Sequence, residues 1–258
     1  MAVTAIATSL AIASGADGRA AWVAAAFLSG QLSVGWSNDW IDAARDRSSR
    51  RADKPVVRGV LDAGLVRRAA LLAAAACVPL SLLMGTSAGL LHLAAVASAW
   101  AYNVRLKAGP LSWLPYAFSF GAVPSIVTLT LSPPAPAPWW ATAGGALLGV
   151  GAHLCNALPD LAADAAQGVR GLPHRLGPRR SAVLAAVLLL TASVLLALGP
   201  GRPGTAALAV LALAAGVTLA GLARARRPGS RAAFLSAIVF AALAVGLLVA
   251  RGAVLAGS

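Results

Sequence analysis

Asn38-Asp39-Trp40-Ile41-Asp42-Ala43-Ala44-Arg45-Asp46 closes an apolar run that begins near residue 20, and it holds three of the chain's acids. A helix turns about 100° per residue, so with Asp39 at 0° Asp42 falls near 300°, Asp46 near 340° and Asn38 near 260°. A helix continuing past Trp36 would therefore carry all four polar side chains on one face. A second stretch, Asn156-Ala157-Leu158-Pro159-Asp160-Leu161-Ala162-Ala163-Asp164, repeats the pattern Asn-x-x-x-Asp-x-x-x-Asp at the end of another apolar run. Pro159 cannot donate to a helical ladder, so a kink is expected there. Two matching polar stripes at two helix ends read as an internal repeat of the kind that places a site between related halves of a membrane protein.

The background makes these stripes conspicuous. Of 258 residues, 59% are hydrophobic and 11% charged, and the mean hydropathy is +0.79. Soluble domains are less apolar and about 25% charged, so a cytosolic globule is excluded. All eight acids are Asp, and five of them lie in the two stretches. Cys77 and Cys155 sit in apolar runs without framework or metal-ligand spacing, and read as packing residues. The formal charge of +13 comes from short Arg runs between hydrophobic stretches. That is the pattern of positive-inside loops and gives no reason to expect a nucleic-acid partner.

A bilayer span needs about 20 mostly apolar residues. The expectation is an all-α membrane protein, a single domain over 1–258. Its helices fall near 2–15, 20–38, 66–85, 88–103, 111–131, 139–158, 180–199, 204–223 and 232–250. The bundle has about nine transmembrane helices, or eight if the short first one does not span and the true start lies upstream. The amino terminus lacks the basic n-region of a signal peptide. If the loop after the second helix is cytoplasmic, 18 of the 21 basic residues share its side and only Arg19, Arg202 and Arg251 are left for the other. The positive-inside rule then fixes a multi-pass cell-membrane topology with both acid motifs at cytoplasmic helix ends. Trp139 and Trp140, after the Pro-rich 132–136 turn, read as interfacial anchors.

Like charges on one helical face repel unless a cation lies between them. Nearby arginines could supply it, making a salt-bridged rim. A rim, however, requires neither helical phase nor the shorter Asp in place of Glu. Short carboxylates on facing helices suit Mg²⁺, which takes oxygen ligands and is usually completed by substrate phosphates. Two facing clusters would hold metal on a diphosphate, with basic loop residues closing over it.

The same residues resemble the UbiA superfamily of intramembrane prenyltransferases. Its signature Asn-Asp-x-x-Asp-x-x-x-Asp is matched in full by Asn38 to Asp46. Its second motif, Asp-x-x-Asp-x-x-x-Asp, is matched at Asp160 and Asp164, with Ala157 where a leading Asp often stands. Tyr102-Asn103-Val104-Arg105-Leu106-Lys107 is similar to the family's Tyr-x-x-x-Leu-Lys segment. Lys54-Pro55 with Arg58-Gly59 looks like the basic element after the first motif, and Gly168–Gly177 like the segment after the second. The likeness covers about residues 20 to 180. It implies an enzyme that binds an isoprenyl diphosphate through Mg²⁺ and passes the prenyl group to a hydrophobic acceptor, often aromatic or a quinone precursor, within membrane lipid. By resemblance Asp39, Asp42, Asp46, Asp160 and Asp164 are the catalytic Mg²⁺ ligands, and Asn38 and Asn156 support them. Lys54 and Lys107, with Arg51 and Arg170, would hold the diphosphate. Tyr102 would shield an allylic cation, with Tyr116, Phe118 and Phe120 equally readable as bundle packing. His153 is either a site residue or a helix contact, and His92 and His174 have weaker claims. Ala157 removes one oxygen ligand from the second motif.

Other readings keep the fold and change the reaction, to a non-aromatic lipid acceptor or a terpene cyclase. A cation-coupled transporter would carry its site near the bilayer midplane, not at basic helix ends.

Overall fold

The computed structural model describes residues 2–16, 18–48, 61–166, 168–201 and 204–224, with the isolated positions 243, 246, 249 and 255. Among the described residues the regular elements are all helical. They are α1 (Ala2–Ala13), α2 (Arg19–Ser48), α3 (Ala63–Leu82), α4 (Thr86–Val104), α5 (Leu114–Thr128), α6 (Trp139–Ala157), α7 (Leu161–Ala166), α8 (Leu172–Leu198) and α9 (Thr205–Arg224). Short 3₁₀ turns occupy Leu106–Ala108 and Leu158–Asp160. The expected ninth span, 232–250, lies outside the described residues apart from single positions.

Local chemistry explains the boundaries. No Gly or Pro follows Gly35 before Ser48, so α2 runs ten residues past its expected end and carries the whole first motif. Asp62, which reads as a loop charge in the sequence, caps α3: its Oδ1 accepts from Leu65 N at 3.0 Å, leaving one fewer end donor unpaired. Pro159 ends α6, and the second motif crosses a 3₁₀ turn into the short α7. The segment after it, expected to be a loop until 180, instead begins α8 at Leu172 with Pro173 in its first turn, where a missing N–H is harmless. Within α8, Gly177 breaks the helix at φ 77° and ψ 168°. A side chain disfavours that φ, and Pro178 favours the extended ψ before it.

α2 packs on α1, α3 and α4; α5 on α4 and α6; and α8 on α6 and α9. Ala63–Leu82, Trp139–Ala166 and Leu172–Leu198 are long and apolar enough to cross a membrane. Polarity is sorted inward. Ser33, Ser37, Ser81, His92 and Asn103 are buried, while Leu72, Leu90, Val104 and Trp139 are exposed. An apolar exterior over a polar interior is what lipid as solvent requires. Inside, Ser33 Oγ donates to Gly30 O at 2.8 Å, and Ser81 Oγ lies 2.8 Å from His92 Nδ1.

Close approach of α5 and α6 rests on Gly145 and Gly149. A Cβ on Gly145 would stand 2.6 Å from Phe120 O, and one on Gly149 would overlap Tyr116 O and lie 2.8 Å from Phe120 Cβ. Small residues four apart allow such backbone contact between membrane helices. Gly149→Leu is therefore expected to destabilise the detergent-solubilised protein by about 1–3 kcal/mol or more, seen as a lower melting temperature. Gly35→Ala, where a Cβ meets nothing within 4 Å, is the control. Equal melting of the two variants would contradict the packing argument.

Candidate active site

A cavity of about 450 Å³ opens where the acid-bearing ends of α2 and α6 meet α4, α5 and the start of α8. α2 supplies Gln31, Gly35, Asn38 and Asp42, which step along one helical face. Asn156 at the end of α6, Asp160 on the 3₁₀ turn and Asp164 on α7 form the facing wall. The stripe expected of one continuous helix thus survives the Pro159 interruption. Lys107 enters from the turn after α4, and its ammonium forms a hydrogen-bonded ion pair with Asp42. Their side chains are 11% and 13% exposed, so the pair stands largely withdrawn from bulk water.

The same cavity carries an aromatic group. Tyr102 meets Tyr116 edge-on at 5.2 Å between centroids, and Tyr116 lies 4.7 Å from the His153 ring and stacks on Phe120 at 6.3 Å. The cavity therefore runs from carboxylates and an ammonium to phenol and phenyl faces.

Several bonds hold these walls in register. Asn103 Nδ2 donates to Val34 O and to Ser37 Oγ, each at 2.9 Å, clamping α4 to α2 beside Asn38. Trp100 Nε1 donates to Ser33 Oγ at 3.3 Å. Buried Ser112 accepts from Leu172 N at 2.9 Å and lies 3.0 Å from His153 Nε2, joining the loop before α5 to α6 and α8. A Cβ on Gly171 would stand 2.7 Å from Lys107 O, so the Lys107 turn seats directly on the start of α8. The Arg67 guanidinium lies 5.1 Å from the Trp40 ring centroid, tying α3 to the motif-bearing part of α2.

The UbiA prenyltransferase family model matches residues 1–244. The chain belongs to the UbiA prenyltransferase family. It is accordingly a prenyltransferase, and the transporter alternative gives way. Among solved structures it is similar to an apo UbiA homologue from Aeropyrum pernix K1, with TM-score 0.77 and 21% identity over 95% of each chain. It is also similar to a digeranylgeranylglyceryl phosphate synthase, with TM-score 0.71 and 14% identity over 98% of this chain and 94% of that one. A UbiA homologue from Archaeoglobus fulgidus bound to GPP and Mg²⁺ gives TM-score 0.65 and 18% identity over 100% and 96%. At these identities the likeness establishes a shared fold. No curated protein matches the chain by sequence.

In this UbiA-family chain the cavity gathers Asn38, Asp42, Tyr102, Lys107, Asn156, Asp160 and Asp164 from the sequence-derived set. Asp39 is not on its wall: about 60° from Asp42 and 100° from Asn38 around α2, it leaves the face they share. Asp46 lies on α2, but its side chain, like Arg51 and Lys54 as a whole, is outside the described residues. Arg170 is exposed and not among the lining residues, though its neighbour Val169 is; its carbonyl accepts from Arg175 Nε at 3.0 Å. Phe118 is exposed, so only Tyr116 and Phe120 of the α5 aromatics face inward. Ala157 lines the cavity where the resemblance leads one to expect an acid. Sequence reasoning passed over Gln31, Asn103 and Ser112. Asn103 stands within a quoted motif and Gln31 is an amide in an apolar run, a usable signal; Ser112 carries none.

Proposed function

We propose that this cavity binds an isoprenyl diphosphate at its acidic end and transfers the prenyl group to an acceptor, an aromatic ring or quinone precursor. The supporting observation is that Asp42, Asp160, Asp164 and Lys107, from four separate elements, line one cavity that continues onto the Tyr102–Tyr116–Phe120 surface. Among the described residues no preformed cluster of three His, Cys or Asp ligands exists. The donor set nevertheless fits Mg²⁺, which uses only one or two carboxylates with waters and substrate phosphates, all oxygen. Asp42, Asp160 and Asp164, with Asp39 and Asp46 of the first motif, are the proposed ligands, and Asn38 and Asn156 orient them. Mg²⁺ when bound supplies fixed positive charge to the diphosphate.

The chain's own residues do the rest. Lys107 exchanges its contact with Asp42 for diphosphate oxygens, and Lys54, Arg51 and Arg170 add charge from the adjoining loops. The C1–O bond breaks with its electron pair leaving on the diphosphate, where those cations stabilise growing charge more than they stabilise the ground state. Tyr102, Tyr116 and Phe120 present π-faces to the allylic cation and keep water from it until the acceptor's π-electrons form the new bond. The acceptor then loses its proton to the released diphosphate. In the wider proposal the chain is one domain of about nine membrane helices with this site at the cytoplasmic face. Related A. fulgidus structures hold GPP or DMAPP with Mg²⁺, ligands of the class proposed here.

The test is to incubate purified protein with labelled prenyl diphosphates of graded length, with Mg²⁺ and a panel of aromatic and lipid acceptors. Length-dependent diphosphate release coupled to a prenylated aromatic product is expected. Flat release across all lengths and acceptors would overturn the reading.

A further inference from the structure

His174, which with His92 has a weaker claim in the sequence than His153, lines the cavity beside Asp164 with its side chain only 9% exposed. Neither Nδ1 nor Nε2 has a hydrogen-bond partner. Nε2 lies 3.8 Å from Asp164 Oδ2, beyond hydrogen-bond range. Folded proteins rarely leave a buried donor and acceptor unpaired, so two orphaned ring nitrogens on a cavity wall point to a ligand as the missing partner.

The surroundings say which ligand. His174 N donates to Gly171 O at 3.1 Å, and Ser181 Oγ braces the preceding residue through Pro173 O at 3.1 Å. Gly171 in turn packs on the Lys107 carbonyl. The imidazole is thus held on the wall it shares with Lys107, Asp42 and Asp164, 3.8 Å from the Asp164 carboxylate. On the diphosphate reading above, we propose that His174 is a further substrate-binding residue, its ring N–H donating to a diphosphate oxygen. A neutral imidazole carries one donor and one acceptor, and an N–H to an anionic oxygen makes a charge-assisted bond.

Calorimetric titration of inorganic pyrophosphate into the full chain in detergent, at saturating Mg²⁺, tests this. His174→Leu is expected to bind pyrophosphate about tenfold more weakly, and His174→Gln, which restores an N–H donor, to recover most of the loss. Mn²⁺ binding without pyrophosphate, read by electron paramagnetic resonance, is expected to match wild type in both. Wild-type pyrophosphate affinity in His174→Leu would overturn the proposal, as would a loss of Mn²⁺ affinity large enough to explain the whole defect. Should His174→Leu not fold, His174→Met provides the same apolar replacement for the same titration. Absence of Mg²⁺-dependent pyrophosphate binding in the wild type would overturn the diphosphate reading as well, which separates the two failures.

Discussion

Asp42→Ala and Asp160→Ala are each expected to lower prenyl transfer by at least about a thousandfold, with the protein still folded and monodisperse. The two carboxylates stand on facing walls of one cavity, so each loss removes part of the charge that stabilises the departing diphosphate. Asp160 lies on a partly exposed 3₁₀ turn. Asp42 has a structural partner in Lys107, so the melting temperature of the Asp42 variant is part of the test. Asp42→Asn separates shape from charge: it keeps the volume, and activity should stay low. The readout is diphosphate release at saturating substrate, checked against the melting temperature. Near-wild-type turnover in both alanine variants would remove these acids from the active site.

Lys107→Met should reduce kcat/KM for the prenyl diphosphate by roughly ten- to a hundredfold, the range of a charge-assisted hydrogen bond. In the ligand-free protein Lys107 neutralises Asp42, so the same side chain serves two anions in turn. Removing it takes one ammonium from Asp42 and from the diphosphate. A falling kcat with little change in KM would show that Lys107 acts mainly as charge develops. Lys107→Arg should recover part of the activity, since guanidinium keeps the charge but alters the geometry. Unaltered kinetics in Lys107→Met would confine the residue to its ion pair with Asp42.

The sequence made the helical class and the acidic end of the cavity readable, because both depend on period and spacing. Asn38 and Asp42, four apart, and Asn156, Asp160 and Asp164 at the same step reach one cavity, and the second set does so even across Pro159. Asp39, at the edge of the 100° arc, is not among the lining residues, since the ligand-free cavity takes a narrower slice of the helix than the whole polar face. Helix ends were less legible where breakers cluster. Gly177 separates a short helical turn after Leu172 from the long helix that follows, and Pro159 stands in the 3₁₀ turn that closes α6. Ser112 emerges only from burial and shared polar atoms, which no spacing rule records, and the same observations raise His174 above the weak claim its sequence context gives it.

The most direct measurement is calorimetric titration of a prenyl thiolodiphosphate, which resists ionisation, into purified protein with Mg²⁺ and again after chelation. The cavity chemistry predicts saturable binding in the presence of Mg²⁺ that is lost when the metal is removed, and lost in Asp42→Ala and Asp160→Ala. Equal binding with and without Mg²⁺, or no binding in either, would contradict a metal–diphosphate site at these aspartates.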